Sequence, residues 1–141
     1  LSGQLEPKQG TIDAPIGRSM HDRKKMAVIQ SKMSKQALTK YEVVRYIGDF
    51  TYVKVFLLTG RTHQIRVHFS AIGFPLVGDS TYGREKLNHL FEKNYGLKRQ
   101  FLHAGSLSFI LPGHKKKEEF VSALPFDLQF ALDNLTMETK L

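Results

Sequence analysis

Between residues 59 and 69 the sequence concentrates side chains that donate hydrogen bonds or carry positive charge. The segment reads Thr-Gly-Arg-Thr-His-Gln-Ile-Arg-Val-His-Phe, and eight of these residues include two arginines, two histidines and one glutamine. A buried polar group without a partner costs folding free energy, so a packed core would make little use of so many donors. The segment therefore predicts a site that faces an anionic or hydrogen-bonding group.

Motifs for other kinds of catalytic site are missing. His63 and His68 are five residues apart, which is about 140° around a helix, so they cannot bind one metal ion from the same face. The serines at 104–108 do not form a nucleophile elbow, and the sequence has neither a phosphate-binding loop nor a dinucleotide fingerprint. An arginine-centred site remains, with no metal ion predicted.

Positive charge is concentrated in two clusters. The formal net charge is +8, from 21 basic and 13 acidic side chains. The first cluster, from residue 18 to residue 40, contains one acid, Asp22, and seven basic residues: Arg18, Arg23, Lys24, Lys25, Lys32, Lys35 and Lys40. The second cluster lies at 115–117. Such clusters favour a polyanion, because each neutralised phosphate releases condensed counterions. A solubilising surface is the alternative that charge alone leaves open.

Length and composition limit the class of protein. A chain of 141 residues with 41% apolar and 24% charged residues is typical of one globular domain. The absence of cysteine excludes disulfides and thiolate chemistry and fits a reducing cytosol, so we expect a cytoplasmic location. No apolar run exceeds four residues, far short of the roughly 20 needed to cross a bilayer, and we expect no membrane partner.

The elements around the segment predict an α+β fold with a mixed, mostly antiparallel sheet and packed helices. Residues 38–47 and 51–58 are rich in β-branched and aromatic residues and predict a hairpin that turns at Gly48-Asp49. Further strands are predicted at 10–16, 26–29, 101–110 and 117–123, a charged helix or loop at 84–100, and a last helix from Pro125.

A helix is predicted from His63 to Ile72. Thr62 can cap its first turn, and Gly73 can close it. Ile65, Phe69 and Ile72 then form one apolar stripe that should pack on the sheet. Arg66 lies about 100° around the helix from Ile65, at the flank of this stripe, where it is held by the protein and still reaches a cleft.

This segment, with Gly-Phe-Pro-Leu-Val-Gly-Asp at 73–79 and Tyr82-Gly83 after it, resembles the third sequence motif of the RluA-type (ribosomal large subunit) pseudouridine synthases. These enzymes convert uridine to pseudouridine in ribosomal or transfer RNA. The resemblance runs from Gly10 to about Phe126. It implies structured RNA as the partner, ribosomal ahead of transfer RNA, and chemistry that needs neither a metal nor an organic cofactor.

The resemblance also assigns roles to individual residues. It implies that Arg66 pairs with the catalytic aspartate and holds it ionised and oriented, although arginine in isolation more often forms a structural salt bridge. Arg61 and His63 would reach RNA phosphate or support the loop. Leu102 would line the base pocket, with strand core as the alternative. The RNA backbone would be held by Arg18, Arg23, Lys24 and Lys25.

Other positions in the motifs have simpler interpretations. Gln64 is expected to bond backbone, and Asp79 and Tyr82 are interpreted as turn residues. Tyr41 occupies a recurrent family position, which a half-buried strand aromatic explains equally well.

The family's His-Arg-Leu-Asp signature, which carries the catalytic aspartate, does not occur here, and the six aspartates lie in other contexts. Nor is the family's active-site tyrosine present. We therefore interpret residues 1–141 as the C-terminal portion of one catalytic domain, inactive alone, with the N-terminal half of the same protein as an expected partner. The alternative is a catalytically silent RNA-binding module; a structural ribosome-associated protein would leave the 59–83 motif unexplained.

Overall fold

A computed structural model describes residues 1–140 and confirms an α+β fold. It contains seven strands and three helices over these residues. In chain order they are β1 Gln9–Asp13, β2 Ile16–Arg18, β3 Met26–Val28, β4 Leu38–Ile47, β5 Phe50–Leu57, α1 Gln64–Ala71, α2 Glu85–Tyr95, β6 Ser106–Ile110, β7 Lys117–Val121 and α3 Phe126–Thr139. Within the same residues, no helix is long and apolar enough to cross a membrane.

The main sheet is antiparallel, in the order β1-β4-β5. The predicted β4–β5 hairpin and its turn are confirmed, and Gly48 adopts the positive φ of 55° that a tight turn needs. The single strand predicted at 10–16 is wrong, because β1 ends at Asp13 and β2 begins at Ile16. Pro15 lies between them and has no N–H with which to continue a ladder.

A second, small sheet carries the basic cluster. β2 and β3 pair antiparallel, with Arg18 opposite Met26, and we refer to residues 16–28 as the basic hairpin. Its loop is closed by hydrogen bonds from Ser19 N–H to the Lys25 carbonyl and from Lys24 N–H to the Asp22 carboxylate. The only acid between residues 18 and 40 therefore organises the loop that presents the positive charge.

Helix α1 packs against the sheet through a wider face than the one predicted, and Ile65 and Phe69 of the predicted stripe pack in the core cluster. Its buried residues are Gln64, Val67, His68 and Phe69, whereas Ile72 is 38% exposed. Thr62 does not cap it; His63 occupies the N-cap position, and the predicted closure at Gly73 is confirmed by a positive φ of 89°. The periodicity predicts only apolar residues on the buried face of α1, but Gln64 and His68 are buried as well, because they find hydrogen-bond partners in the protein interior.

Apolar residues form the core on both sides of this region. One cluster lies between the main sheet and α1 and consists of Leu5, Ile12, Tyr41, Phe69 and Leu76. Another lies between α2 and α3, where Leu128 and Ala131 of the last helix cluster with Phe91 and Tyr95 of α2. The two clusters are linked by the buried segment 75–79, which therefore has little freedom to move.

The hairpin formed by β6 and β7 stands apart from the main sheet. All ten of its strand residues are exposed, including Leu107, Phe109 and Phe120, and among residues 1–140 it pairs with no other strand. Lys115 and Lys116 lie in the connection between its strands, and Lys117 opens β7. The strand begins at Ser106 rather than at residue 101, so Leu102 precedes it and is not strand core.

Candidate active site

Arg66 and Asp79 form a buried bidentate ion pair. Nε of Arg66 donates to Oδ2 of Asp79 at 2.8 Å, and Nη2 donates to Oδ1 at 2.9 Å. The side chains are 13% and 0% exposed, respectively. Oδ1 also accepts hydrogen bonds from the backbone N–H groups of Thr81 and Tyr82, both at 3.0 Å. The carboxylate therefore fixes one edge of the guanidinium to the turn that follows it.

The electrostatics of the pair favour its charged form. Burial raises the pKa of Asp79, but the hydrogen bonds from Arg66 and from the backbone of Tyr82 and Thr81 outweigh that effect, so the pKa lies below its ordinary value. The hydrogen bond to Asp79, partly opposed by burial, raises the pKa of Arg66. Both groups are ionised at neutral pH, and the pair holds its geometry across the physiological range.

The opposite side of the guanidinium is open. Nη1 of Arg66 makes no hydrogen bond with any group in residues 1–140. No buried side-chain nitrogen or oxygen in these residues lacks a partner, so Nη1 must reach the surface of the described structure. Arginine can bind two carboxylates through two edges of its planar fork. Arg66 is therefore anchored on one edge and offers the other to an incoming acceptor.

Tyr82 covers one face of the same guanidinium. The central carbon of Arg66 lies 5.1 Å from the centre of the Tyr82 ring, which is a cation–π distance. The Tyr82 hydroxyl accepts a hydrogen bond from the backbone N–H of Met26 at 2.9 Å, and Nδ1 of His63 is also 2.9 Å away. The structure thus brings two predicted site residues, Arg66 and His63, together around Tyr82.

His63 is held in an unusual backbone conformation at the start of α1. Its φ of 54° is left-handed, and within residues 1–140 it is the only non-glycine residue with a positive φ. Such a conformation costs on the order of 1 kcal/mol and persists only where surrounding contacts fix it. Burial and the positive charge of Arg66 lower the pKa of His63, so its imidazole is neutral at pH 7.

Two other donors of the motif are satisfied inside the protein. Gln64 donates to the Leu38 carbonyl and to Thr39, both at 2.9 Å, and its oxygen accepts from Thr59 and from the Arg61 N–H. His68 is fully buried, 2.7 Å from the Thr39 hydroxyl and 2.9 Å from the Ala14 carbonyl. The prediction that Gln64 bonds backbone is confirmed. The expectation that a core makes little use of these donors is wrong for Gln64 and His68.

Comparison with known proteins identifies the family. Residues 4–71 match the sequence model of a family described as RNA pseudouridylate synthase. The chain is 46% identical, over 92% of its length, to an uncharacterized RNA pseudouridine synthase of Chloroflexus aurantiacus. It is 38% identical, over 94% of its length, to ribosomal large subunit pseudouridine synthase D of Zymomonas mobilis. The chain belongs to the RluA-type pseudouridine synthase family. That confirms the resemblance drawn from the 59–83 motif.

Solved structures of the family share the fold. Human RNA pseudouridylate synthase domain containing 1 superposes with a TM-score of 0.69 at 33% identity, over 99% of this chain and 62% of that one. Human RNA pseudouridylate synthase domain containing 4 gives 0.66 at 29% identity. The chain spans 38% and 42% of the two curated relatives described above, so less than half of each relative is represented.

The remaining predicted site residues are dispersed. Arg61 donates from Nε to the Gln36 carbonyl at 2.9 Å and thereby supports the segment before β4. Leu102 is half-buried against the cluster of the main sheet. Tyr41 is 5% exposed and packs edge-on against Phe69, which is the role of a core aromatic.

The predicted RNA-binding side chains lie on the basic hairpin. Arg18, Arg23 and Lys24 are exposed, and Lys25 is half-buried. Nη1 of Arg18 donates to the Arg23 carbonyl at 3.2 Å, so the hairpin fixes the direction of its own arginine. Because Tyr82 binds Met26 next to Lys25, this hairpin is joined directly to the surroundings of Arg66.

Sequence reasoning missed the importance of Asp79 and Tyr82, which were interpreted as turn residues only. A signal was present in the segment 76–79, because an acid that follows buried apolar residues needs a cation or several donors. Gly78 adopts a φ of 80°, and a Cβ there would collide with the Arg99 carbonyl, so the chain passes too closely for any side chain before Asp79.

Among residues 1–140, no three histidine, aspartate or glutamate side chains gather as a metal site.

Proposed function

We propose that this chain is the Arg66-bearing portion of an RNA pseudouridine synthase that isomerises specific uridines in structured RNA. The observation that carries the proposal is the guanidinium of Arg66, which is fixed by Asp79 on one edge and reaches the surface at Nη1. Membership of the pseudouridine synthase family supplies the reaction. The neighbouring basic hairpin supplies a surface for the phosphate backbone.

In the proposed mechanism, the catalytic aspartate comes from a segment outside this sequence, because His-Arg-Leu-Asp does not occur in it. As the family resemblance implies, that aspartate attacks the nucleotide and the glycosidic N1–C1′ bond breaks. The base then turns and C5 bonds to C1′, which releases the aspartate, while C5 loses a proton and N1 gains one. One carboxylate oxygen would accept a hydrogen bond from Nη1 of Arg66. No metal or organic cofactor takes part in this scheme.

The pairing with Asp79 defines what Arg66 contributes. Asp79 already neutralises most of the guanidinium charge, so the effect of Arg66 on the pKa of a second carboxylate is smaller than that of an unpaired cation. Its main contribution is then orientation, since a fixed donor places the nucleophile without further loss of freedom. Asp79 is a positioning residue in this scheme, because it acts through Arg66.

The substrate proposed first is 23S ribosomal RNA in the cytoplasm. Two relatives, from Zymomonas mobilis and Pseudomonas aeruginosa, carry the name ribosomal large subunit pseudouridine synthase D. Arg18, Arg23, Lys24, Lys25 and Arg61 would hold the RNA backbone, with His63 beside Arg66 and Leu102 at the base pocket. The target uridine has to leave its stack, which costs a few kcal/mol that backbone contacts offset.

The N-terminal half of the catalytic domain is the proposed second partner, and this chain alone is proposed to be inactive. The exposed β6–β7 hairpin supports this, because a two-stranded hairpin without a cover is marginally stable. Denaturing mass spectrometry of the purified protein should find His-Arg-Leu-Asp in the same polypeptide or in a companion one. Full uridine isomerisation by the 141-residue chain alone would contradict this part of the proposal.

The role of Arg66 is tested in the complete synthase. Arg66→Ala should reduce turnover of uridine at least about 100-fold, since a positioned charge-assisted donor is lost, while the Kd for RNA changes by less than about threefold. Arg99→Ala is the matched control, because Arg99 forms a similar bidentate pair with Asp127 at 2.8 and 3.0 Å, far more exposed. Equal turnover in Arg66→Ala and in the wild type would overturn the assignment.

The second candidate is a catalytically silent RNA-binding module. It is favoured by the absence of His-Arg-Leu-Asp from the sequence and by the internal pairing of Arg66, which gives this side chain a structural role without catalysis. It predicts salt-dependent RNA binding without pseudouridine in the product, even when the complete polypeptide is assayed. Detection of pseudouridine by nucleoside analysis of the treated RNA excludes it.

A further inference from the structure

Tyr82 touches three separate parts of the candidate site. Its ring lies against the guanidinium of Arg66, and its hydroxyl is within hydrogen-bond distance of Met26 N–H and His63 Nδ1. Its own backbone N–H donates to the Asp79 carboxylate that pairs with Arg66, and its carbonyl accepts from the Ser70 hydroxyl at 3.1 Å. The residue is therefore fixed at both its backbone and its side chain.

One hydrogen bond of the Tyr82 hydroxyl has a fixed direction. A phenolic oxygen donates one hydrogen bond and accepts up to two. The Met26 N–H can only donate, so the hydroxyl accepts from it and has its own hydrogen available for Nδ1 of His63. Both bonds are 2.9 Å long, which is a normal hydrogen-bond length.

Met26 connects this network to the basic hairpin. It opens β3, follows Lys25 directly, and lies opposite Arg18 in the ladder. The loop before it is closed on itself by the Ser19–Lys25 and Lys24–Asp22 hydrogen bonds, so a constraint at Met26 is passed to the charged residues of the loop. A single tyrosine thus joins the proposed RNA-binding surface to the proposed catalytic arginine.

We infer that Tyr82 is a positioning residue that couples RNA binding at the basic hairpin to the orientation of Arg66. The inference rests on the proposed function and assigns a further residue to that site. Asp79 fixes the guanidinium within its own plane, and the Tyr82 ring restricts its rotation out of that plane. The hydroxyl holds the hairpin at a set distance from the arginine. Because ring and hydroxyl are different parts of the side chain, the two tasks can be separated by substitution.

Amide hydrogen exchange tests the hydrogen bond between Met26 N–H and the Tyr82 hydroxyl, which we call the tether, without any assay of activity. In the complete synthase, Tyr82→Phe removes the acceptor of the Met26 N–H, so exchange at Met26 should become at least about tenfold faster. Tyr52→Phe is the matched control, since the Tyr52 ring packs on Phe101 and its hydroxyl makes no hydrogen bond within residues 1–140. Exchange at Met26 that is equal in Tyr82→Phe and in the wild type would overturn the tether.

Steady-state kinetics on RNA separate the two tasks. Tyr82→Phe should raise KM by about fivefold and keep kcat within about twofold, because the hairpin loosens while the ring still covers Arg66. Tyr82→Leu should in addition lower kcat about tenfold, because the guanidinium loses its cation–π contact. If Tyr82→Phe and Tyr82→Leu lower kcat by the same factor, or if neither variant raises KM, the coupling is refuted.

The design distinguishes this inference from the proposed function. Thermal unfolding of each variant identifies a failure to fold, and Tyr82→Phe, which keeps the ring, remains informative where Tyr82→Leu does not fold. If Arg66→Ala lowers turnover but Tyr82→Phe behaves as Tyr52→Phe does, only the role of Tyr82 is refuted. If Arg66→Ala has no effect on turnover, the proposed function fails, and the exchange measurement still decides whether the tether exists.

Discussion

Asp79 binds Arg66 along one edge of the guanidinium and simultaneously accepts the backbone N–H groups of Thr81 and Tyr82. One fully buried carboxylate therefore holds the arginine of α1 and shapes the turn that places Tyr82 against it. Arg66 and Asp79 are 13 residues apart in the sequence, so their ion pair joins α1 to the loop that follows it as one unit. The direction of Nη1 is set by this unit.

Removal of the buried carboxylate should be costly. Asp79→Ala leaves Arg66 as an unpaired and largely buried cation, so the free energy of unfolding should fall by about 3 kcal/mol. Urea unfolding followed by circular dichroism measures this change. Asp127→Ala breaks the more exposed pair with Arg99 and should lower the free energy of unfolding much less than Asp79→Ala does. Equal decreases in the free energy of unfolding of the two variants would contradict the conclusion that the Asp79 pair stabilises the fold more than the Asp127 pair does.

The same carboxylate predicts acid sensitivity. The folded-state pKa of Asp79 is lowered, so its contribution to stability is complete above the unfolded pKa of about 3.9 and disappears as the pH falls through the folded value. The free energy of unfolding of the wild type should therefore decrease below about pH 4. Asp79→Asn should be less stable at pH 7 and show a smaller decrease on acidification. If the free energy of unfolding decreased equally with pH in the wild type and in Asp79→Asn, the loss of stability in acid would not come from protonation of Asp79.

His68 is predicted to be structural. His68→Leu leaves the Ala14 carbonyl and the Thr39 hydroxyl without this partner in a fully buried site, so stability should fall by about 2 kcal/mol. His89→Leu on the surface of α2 is the control and should change stability by less than about 0.5 kcal/mol. A thermal melt reports both. An unchanged melting temperature in His68→Leu would contradict a structural role for this histidine.

The basic hairpin should account for the salt dependence of RNA binding. Lys24→Gln removes an exposed charge from its loop and should weaken binding and reduce the slope of log K against log salt by about 1. Filter-binding titrations of the complete synthase at several salt concentrations measure the slope. Lys93→Gln, on the exposed surface of α2, should leave the slope unchanged. Equal slopes for Lys24→Gln and the wild type would show that Lys24 does not contact an RNA phosphate.

The sequence by itself determined the family, the hairpin and the position of the arginine. The β4–β5 hairpin follows from β-branched residues on either side of Gly48, and the last helix from its apolar stripe after Pro125. These features depend on local conformational preferences and on periodicity, and both are set by residues that are close together in the sequence. The 59–83 motif is likewise contiguous, so its resemblance to the family could be read without any structure.

Only the tertiary structure decided which donors of that motif face inward. Gln64 and His68 are buried because Leu38, Thr39 and Ala14, distant in the chain, present partners to them. The pairing of Arg66 with Asp79 and the bond from Met26 to Tyr82 also join residues far apart in sequence. Satisfaction of a buried polar group depends on what lies opposite in space, and no local pattern encodes that. For this reason the sequence located the arginine, and the fold determined which of its edges remains open.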